Sequence, residues 1–419
     1  VVFLLTLIVV VTFLSGFYPA MVLAGFNPVT ALKSKFTSKM VGGLSLRRVL
    51  VVLQFTIAQA LIIGTLIIVS QMNFFKNSSM GFDKEAIVTV PIPNDSVSQS
   101  KIDALKIQLL QQAGIKNVSF STFSPADNSH WGSDFKFDNS AKTSDFNADL
   151  KWADADYFRT YNIKFIAGRP YAQSDTVREL VVNEMMTKKL GFTNPKDILG
   201  KKINFWDGQI VAPVVGVAKD FHGTSLTKEM KPIVLGSWKG VYQLINIKIH
   251  PQNAKQTLAA IEKLWNNTYP DFIYEYQFLD DKIASFYEQE NRLSQLYKIF
   301  AGIAIFISCL GLYGLVSFMA VQRTKEVGIR KVLGASVSSI IYLFSKEFTL
   351  LIAIAFLIAA PVAYYFMHQW LQNFAYRVDI SAEIFLLTIL VSVIIALLTV
   401  GYQSIKAAIA NPVKSLRTE

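Results

Sequence analysis

The chain has 419 residues, of which 52% are hydrophobic and 17% are charged, and its formal net charge is +11. This composition is too apolar for an average soluble protein and too charged for a protein made only of membrane helices. We therefore expect membrane-spanning helices together with at least one folded domain outside the bilayer.

Five apolar stretches, taken in chain order, have the composition of membrane helices. They cover residues 1–24, 49–70, 299–320, about 348–367 and 384–400. A helix needs ~20 apolar residues to span the hydrocarbon core, and four of the five stretches reach or approach that length. The last stretch is nearer the lower limit, but it continues into the mildly polar residues 401–404. We expect all five to be membrane helices.

The basic residues are concentrated in the segments beside these stretches. Residues 25–48 contain five bases and no acid, residues 321–338 contain four bases and Glu326, and the residues after 405 contain three bases and Glu419. The block 74–292 is nearly neutral. Because Lys and Arg mark cytoplasmic loops, the basic segments are expected inside and the neutral block outside. The net charge thus indicates contact with anionic membrane lipid, and no nucleic-acid partner is expected.

The neutral block has the periodicity of an α+β domain. Its predicted strands are residues 86–92, 116–123, 244–249 and 272–278, and its predicted helices are residues 97–112 and 253–266. Two βαβ units then flank an insertion of about residues 124–240, which suggests a ferredoxin-like arrangement. The predicted fold class is a multi-pass α-helical membrane protein with a large α+β extracytoplasmic domain, in which two ferredoxin-like βαβ units carry an inserted subdomain.

The end of this block predicts a long helix. From Asp280 to Gly302 no residue breaks a helix, so we expect one helix that starts outside and runs unbroken into the membrane. It is either a rod that transmits motion or a helix that overshoots the bilayer. Asp280 and Asp281 lie at its start, where the helix dipole stabilises negative charge by ~0.3–1 kcal/mol. We therefore interpret them as residues that stabilise the helix end, in preference to a catalytic carboxylate pair.

The segment between the third and fourth apolar stretches is the most informative one. Residues 322–336 read QRTKEVGIRKVLGAS, with an acid and two glycines among the bases. This sequence resembles the cytoplasmic coupling segment of MacB/FtsX-type ABC transporter permeases, which is close to R-x-x-E-I-G-I-R-K-A-L-G-A. The matching positions are Glu326, Gly328, Arg330, Lys331, Gly334 and Ala335. The resemblance implies that these residues couple the chain to an ATPase. Given the resemblance, close approach of a partner's backbone is the interpretation of the two glycines, Gly328 and Gly334. Retention charges and tolerated loop glycines are the simpler interpretation of the segment.

Glu347 is a further candidate, for which two interpretations stay open. An ionisable residue near a membrane helix is a functional candidate, and permeases of this family often carry a glutamate at this position. An apolar stripe instead predicts an amphipathic helix in the inner interface, with Glu347 beside Lys346 at the headgroup level. The stripe consists of Val337, Ile340, Ile341, Phe344 and Phe348.

Catalytic and cofactor signatures are missing from the sequence. A phosphate-binding loop ending at residues 200–202 would need glycine at 195 and Ser or Thr at 202, where the chain has Pro195 and Lys202. The four histidines are scattered and Cys309 is the single cysteine, so neither a metal site nor a disulfide within the chain is expected. We expect no catalytic residue, no cofactor and no enzyme activity, and any ATP hydrolysis then belongs to a partner.

Residues 27–33 and 411–417 share the pattern N-P-V-x-small-L-basic, each beyond an apolar stretch. This repeated pattern is either a coincidence, because proline often follows the end of a helix, or a sign that a sequence unit has been duplicated. Long permeases of the same family, many resembling sequences from Bacteroidetes-like bacteria, contain two units, which implies that this chain is the C-terminal half.

The predicted division of the chain follows from the apolar stretches, the basic segments and the resemblance together. Its segments, in chain order, are 1–24 (last transmembrane helix of a preceding unit), 25–48 (cytoplasmic linker), 49–72 (transmembrane), 73–292 (extracytoplasmic MacB-like core domain, insertion about 124–240), 293–320 (stalk and transmembrane helix), 321–347 (coupling segment and interfacial helix), 348–368 (transmembrane), 369–383 (outside loop), 384–405 (transmembrane) and 406–419 (cytoplasmic tail).

The resemblance implies a permease subunit of an ABC transporter in the bacterial inner membrane. It would couple ATP hydrolysis by a separate ATPase at the cytoplasmic face to movement of the periplasmic domain, for export or efflux. Other implied partners are membrane lipid, a second copy or the missing N-terminal unit, and a periplasmic adaptor. The alternatives are a signal transducer that activates an extracytoplasmic partner such as a cell-wall hydrolase, and a receptor or anchor without an ATPase.

Overall fold

The computed structural model describes residues 2–24, 46–322, 326, 329–330 and 333–409. The helices with described bounds are α1 (Val2–Ala24), α2 (Leu46–Asn77), α3 (Ser96–Ser100), α4 (Ile102–Leu110), α5 (Tyr157–Thr160), α6 (Glu184–Lys189), α7 (Ala254–Thr268), α8 (Leu279–Ser285), α9 (Glu288–Gln322), α10 (Val337–Leu371) and α11 (Ala382–Ile409). The strands are β1 (Ile87–Pro91), β2 (Ile115–Ser121), β3 (Trp131–Ser133), β4 (Lys136–Phe137), β5 (Ala148–Trp152), β6 (Phe165–Gly168), β7 (Leu180–Asn183), β8 (Lys202–Phe205), β9 (Ile210–Ala218), β10 (Ile233–Gly236), β11 (Leu244–Ile249) and β12 (Gln277–Phe278).

The first sheet has the ferredoxin-like arrangement that the sequence predicts. Its four strands lie in the order β12-β1-β11-β2, and each neighbouring pair is antiparallel. Helices α4 and α7 pack against it because each has apolar residues four positions apart, which fall on one helix face. These buried residues are Leu105 and Leu109 in α4 and Ile261 and Trp265 in α7.

Two elements of this domain differ from the prediction. The strand predicted at residues 272–278 is wrong in length, since only Gln277 and Phe278 pair with β1. The carbonyl of Phe272 accepts a hydrogen bond from Trp265 Nε1 at 3.1 Å, which holds this part of the chain against α7 instead. The helix predicted at residues 97–112 is divided at Lys101 into α3 and α4, because the serine-rich α3 has no apolar stripe to bury.

The second sheet forms the inserted subdomain. Its order is β3-β5-β10-β7-β9-β8-β4, with β6 paired to β9, and all its strands lie between β2 and β11 in the sequence. Main-chain hydrogen bonds join it to the first sheet: the Thr122 N–H donates to the Trp152 carbonyl at 2.8 Å, and the Asp154 N–H donates to the Phe120 carbonyl at 2.9 Å. The two sheets are therefore held directly against each other.

In the described part of the chain, four helices are long and apolar enough to cross a membrane, at Arg47–Asn77, Glu288–Gln322, Ser345–Leu371 and Ala382–Gly401. Helix α2 packs against α9 and α10, and α10 packs against α11. Their inner halves share a core that includes Phe55, Leu312, Val316 and Ile352. The described side chains of α1 are exposed. The predicted fold class, a multi-pass membrane protein with a large α+β domain, is confirmed.

The long helix predicted from Asp280 onward is interrupted. Helix α8 ends at Ser285 and α9 begins at Glu288, whereas Gly302 lies inside α9 and does not break it. At the break, the N–H groups of Phe286 and Tyr287 donate to carbonyls three residues earlier, at 3.2 and 3.1 Å. The Tyr287 side chain is buried in a core that residues of the transmembrane helices and of the inserted subdomain form together. We call α8 and the outer part of α9 the stalk.

Candidate functional sites at both ends of the transmembrane helices

Four of the six predicted coupling residues, Glu326, Arg330, Gly334 and Ala335, lie in the described part of the segment between α9 and α10. Gly328 and Lys331 lie outside the described residues. Arg330 Nη2 is 2.7 Å from Glu326 Oε1, one helical turn earlier, and both side chains are about half exposed. Such an exposed pair is worth little to stability, so both charges remain accessible to a partner.

Gly334 has a role in ending the helical turn that contains Arg330. The Ala335 N–H donates to the Arg330 carbonyl at 2.9 Å, and Gly334 has a φ of +90°. This is the hydrogen bond and the left-handed residue of a Schellman helix end, where glycine is strongly preferred. The predicted close approach of a partner is therefore not needed to explain this glycine.

Two exposed apolar residues of the same segment were missed by the sequence analysis. Ile329 is 53% exposed and Leu333 is 80% exposed, and the Leu333 N–H donates to the Ile329 carbonyl at 3.0 Å. They therefore lie one helical turn apart on one side of the segment. Their i, i+4 spacing is visible in the sequence and is the signal that could have identified them.

Glu347 lies at the inner ends of the transmembrane helices. Its Oε2 atom is 3.4 Å from Arg48 Nη2 at the start of α2. The neighbouring Arg47 places its guanidinium 3.7 Å from the centre of the Phe318 ring on α9. A charge pair and a cation–π contact thus join α2 to the two helices that flank the coupling segment. Glu347 belongs to the same continuous helix as the membrane span that follows it.

At the outer end, Tyr287 joins the stalk to the inserted subdomain. Its hydroxyl oxygen accepts a hydrogen bond from the Leu226 N–H at 3.0 Å. Its ring stacks on Phe75 of α2, with 4.7 Å between the ring centres. Burial raises the pKa of Tyr287, so its hydroxyl stays protonated at neutral pH. One side chain therefore contacts α2 and the inserted subdomain together.

The loop between α10 and α11 is fixed to the same region. Buried Gln71 of α2 donates through Nε2 to the Tyr376 carbonyl at 2.9 Å and accepts from the Val378 N–H at 2.8 Å. The Ala375 N–H donates to the Thr227 carbonyl at 3.0 Å. The Tyr376 ring meets the His222 ring edge-on at 4.8 Å, and burial lowers the pKa of His222. The loop therefore contacts both α2 and the inserted subdomain.

An ion pair joins α8 to the inserted subdomain. Lys282 Nζ lies 2.5 Å from Asp127 Oδ2 and 3.3 Å from Ser124 Oγ, and the Lys282 and Asp127 side chains are 20% and 10% exposed. Fully buried Lys151 lies behind them and donates to the carbonyls of Ser124 and Gly223 at 3.3 and 3.5 Å. Burial is the main cause that lowers the pKa of Lys151 to about 8. This network was not predicted, because its members are far apart in the sequence.

The acidic pair Asp280 and Asp281 lies in the first turn of α8, where the helix dipole favours negative charge. In the described part of the chain, no three His, Cys, Asp or Glu residues are arranged to hold a metal ion. The sites described above consist of exposed charged and apolar side chains at the inner ends of the helices, and of hydrogen bonds and ion pairs at the outer ends.

Comparison with known proteins places both parts of the chain. The model of the FtsX-like permease C-terminal domain matches residues 298–412, and that of the MacB-like periplasmic core domain matches residues 49–264. The macrolide export ATP-binding/permease protein MacB of Escherichia coli (strain K12) is 24% identical over 298 residues, which cover 66% of this chain and 44% of that protein. This chain thus spans less than half the length of that relative.

Two further similarities concern a permease and a solved domain. The uncharacterized ABC transporter permease YknZ of Bacillus subtilis (strain 168) is 23% identical over 281 residues, covering 63% of this chain and 68% of YknZ. The crystal structure of the periplasmic region of MacB from Actinobacillus actinomycetemcomitans covers 49% of this chain and 94% of that chain, at 16% identity and a TM-score of 0.35.

Proposed function

Because this chain belongs to the MacB/FtsX-type permease family, we propose that it is driven as an ABC transporter permease by a separate ATPase, which binds at its cytoplasmic face. Like the family, the chain is a multi-pass protein of the bacterial inner membrane. ATP-driven movement of the ATPase is passed through the transmembrane helices to the domain outside.

One observation carries this proposal. The segment between α9 and α10 is flanked by a membrane helix on each side. Beyond its outer end, each of these helices continues into residues that contact the inserted subdomain, at two neighbouring positions. Beyond the outer end of α9, Tyr287 accepts a hydrogen bond from Leu226. Beyond the outer end of α10, Ala375 donates to Thr227. A displacement of the inner segment therefore acts at one place on the outside domain.

The ATPase contact is proposed at the exposed side of the inner segment. Ile329 and Leu333 supply apolar area, and Arg330 and Glu326 supply charges beside it. An apolar centre with a charged edge is the usual composition of a protein interface. In this arrangement the predicted residues Gly328 and Lys331 belong to the same contact, and the Glu347–Arg48 pair keeps α2 attached to α10 as the segment moves.

The proposed orientation places the inner segment in the cytoplasm and the two sheets in the periplasm. Exposed Ser336 and Ser129 lie on the two sides. In a Cys309→Ser background, a membrane-impermeant maleimide should label Ser129→Cys in cells with a permeabilised outer membrane, but should label Ser336→Cys only after lysis. Labelling of Ser336→Cys before lysis would contradict the proposed orientation and would place the inner segment on the outside.

The proposed direction of transport is export. The Escherichia coli relative MacB is a macrolide export protein, and only the direction of transport is extended from it to this chain. A substrate that reaches the outside domain from the periplasm or the outer leaflet would be moved by that domain, without a wide channel through the membrane.

The experiment that tests the ATPase contact uses the complete natural protein, tagged in its native host. Purification of the wild type should recover an ABC ATPase, identified by mass spectrometry. Ile329→Ser/Leu333→Ser should lose it. The matched control is Val97→Ser/Ile107→Ser, which removes two apolar residues of similar exposure, 67% and 61%, from the outside domain and should retain the ATPase. Wild type without an ABC ATPase, or a double variant that retains it, would contradict the proposal.

A further inference from the structure

The inserted subdomain contains an open cavity of about 550 Å³ between β3, α6 and the loop before β10. Its lining carries three lysines, Lys189, Lys228 and Lys231, against two carboxylates, Asp149 and Glu229, so its net charge is positive. Phe146, Met230 and Pro232 form its apolar walls. Lys189 places its ammonium 5.4 Å from the centre of the Phe146 ring. Positive charge next to an apolar wall matches a small molecule that carries both an anionic group and an apolar group.

A buried carboxylate lies at the base of this cavity. The Asp149 side chain is only 5% exposed, and Lys231 Nζ is 3.7 Å from its Oδ1. The same ammonium is 3.5 Å from His130 Nε2. At 3.7 Å the Lys231–Asp149 pair attracts through charge without a hydrogen bond of normal length. Lys231 is therefore only partly neutralised by Asp149 and can also pair with an anion in the cavity.

The charges continue from the cavity towards the stalk. Lys151 lies two residues after Asp149 on β5, so both side chains are on one face of the strand. Lys151 Nζ donates to the Ser124 carbonyl, and the Ser124 hydroxyl donates to Asp127 Oδ2 at 3.2 Å. Asp127 in turn pairs with Lys282 of α8. Alternating charges thus run from Lys231 through Asp149, Lys151 and Asp127 to the stalk.

We infer that the cavity binds a small organic anion, either a carboxylate or a phosphate monoester with an apolar substituent. Binding of this anion then alters the contacts between α8 and the inserted subdomain. The anion draws Lys231 and Lys228 towards itself, which leaves Asp149 less neutralised. Asp149 then attracts Lys151 more strongly and weakens the hold of Lys151 on Ser124, the residue that contacts both Asp127 and Lys282. The binding step stands without the ATPase, whereas its consequence for transport rests on the proposed function.

Binding is tested with the purified complete chain in lipid nanodiscs, titrated calorimetrically with phenyl phosphate and with phenylacetate. At least one should bind saturably, and the stronger one identifies the class of anion. Lys189→Gln/Lys228→Gln removes two exposed lining charges and should weaken binding about tenfold or more, because each charge-assisted hydrogen bond is worth about an order of magnitude in affinity. Lys255→Gln/Lys263→Gln removes two exposed charges from α7 and should bind as the wild type does.

Absence of saturable binding by both anions, or equal affinity of the two double variants, would overturn the site. The connection to the stalk is measured by hydrogen exchange of residues 279–285 with and without the bound anion. At an anion concentration that occupies most of the wild type but little of Lys189→Gln/Lys228→Gln, we expect exchange in α8 to change in the wild type and the Lys255→Gln/Lys263→Gln control, but not in Lys189→Gln/Lys228→Gln. Binding without any change in α8 would leave the anion site and refute its connection. Since no ATPase is present, neither result depends on the proposed transport activity.

Discussion

Gln71 accepts a hydrogen bond from the Val378 N–H at 2.8 Å, across 307 residues of sequence. Gln71 lies at the outer end of α2, and Val378 lies in the loop that joins α10 to α11. With the second bond, to the Tyr376 carbonyl, one side-chain amide satisfies two main-chain groups. The amide therefore fixes the loop that also contacts Thr227 of the inserted subdomain.

Gln71→Leu should free this loop. The variant keeps the apolar packing but removes both hydrogen bonds, and each partly buried polar group left without a partner costs ~1–3 kcal/mol in the free energy of unfolding. Arg377 lies between the two bonded residues and is exposed, so trypsin should cleave after it faster in the variant. Gln369→Leu is the control, because the exposed Gln369 side chain donates to the Tyr365 hydroxyl on its own helix at 2.9 Å. Equal cleavage rates in the Gln71→Leu variant and the wild type would contradict the role of Gln71.

The Lys282–Asp127 pair should show measurable coupling between the stalk and the inserted subdomain. Both side chains are largely buried, so removing either partner leaves a poorly solvated charge. In a double-mutant cycle with Asp127→Asn and Lys282→Gln, we expect a coupling free energy of ~1–3 kcal/mol from denaturant unfolding. The exposed pair Arg292–Glu288 is the control and should give at most ~0.5 kcal/mol. Equal values for the two pairs would show that burial adds nothing at the stalk.

Lys151 should make stability depend on pH above neutrality. Burial lowers its pKa from 10.5 to about 8, against the attraction of Asp127 and Asp149 and together with repulsion by Lys282. Between pH 8 and 10.5 the unfolded chain holds a proton that the folded chain has lost, so the free energy of unfolding rises with pH in this window. The difference between wild type and Lys151→Met should therefore change by about 3 kcal/mol over the window. A constant difference would mean that Lys151 titrates normally.

The sequence was sufficient for elements with a local period and insufficient for contacts between distant segments. The ferredoxin-like sheet could be predicted because its strands and helices alternate with clear apolar patterns, as Val88 and Val90 in β1 show. The break at Phe286 and Tyr287 could not, because no breaker residue marks it and it depends on the contacts of Tyr287 with Leu226 and Phe75. The pairing of Lys282 with Asp127 likewise depends on the whole fold of the inserted subdomain.

The inner segment shows the same limit. Its motif could be identified from residue types alone, and Glu326 and Arg330 are indeed one turn apart. The sequence analysis interpreted Gly334 as a site where a partner's backbone approaches closely. The structure gives another reason for glycine at this position, because the helix end at Gly334 has a positive φ. An ATPase contact depends on the surface of a second protein as well as on the residues of this motif.

Charge reversal at Arg330 and Glu326 distinguishes the ion pair between these residues from an ATPase contact made by Arg330. Arg330→Glu places two carboxylates one turn apart, which repel each other, and it also reverses the charge offered to a partner. Glu326→Arg/Arg330→Glu restores an ion pair within the segment but keeps the reversed charge at residue 330. If the ATPase contacts Arg330 directly, both variants should recover at least ~10-fold less ATPase than the wild type, because reversing a contacting charge costs several kcal/mol. Membrane abundance, measured by immunoblot, should be unchanged, since the other basic segments still set the orientation. Recovery of the ATPase by the double variant would show that Arg330 acts only through Glu326 and would leave the apolar pair Ile329 and Leu333 as the proposed contact.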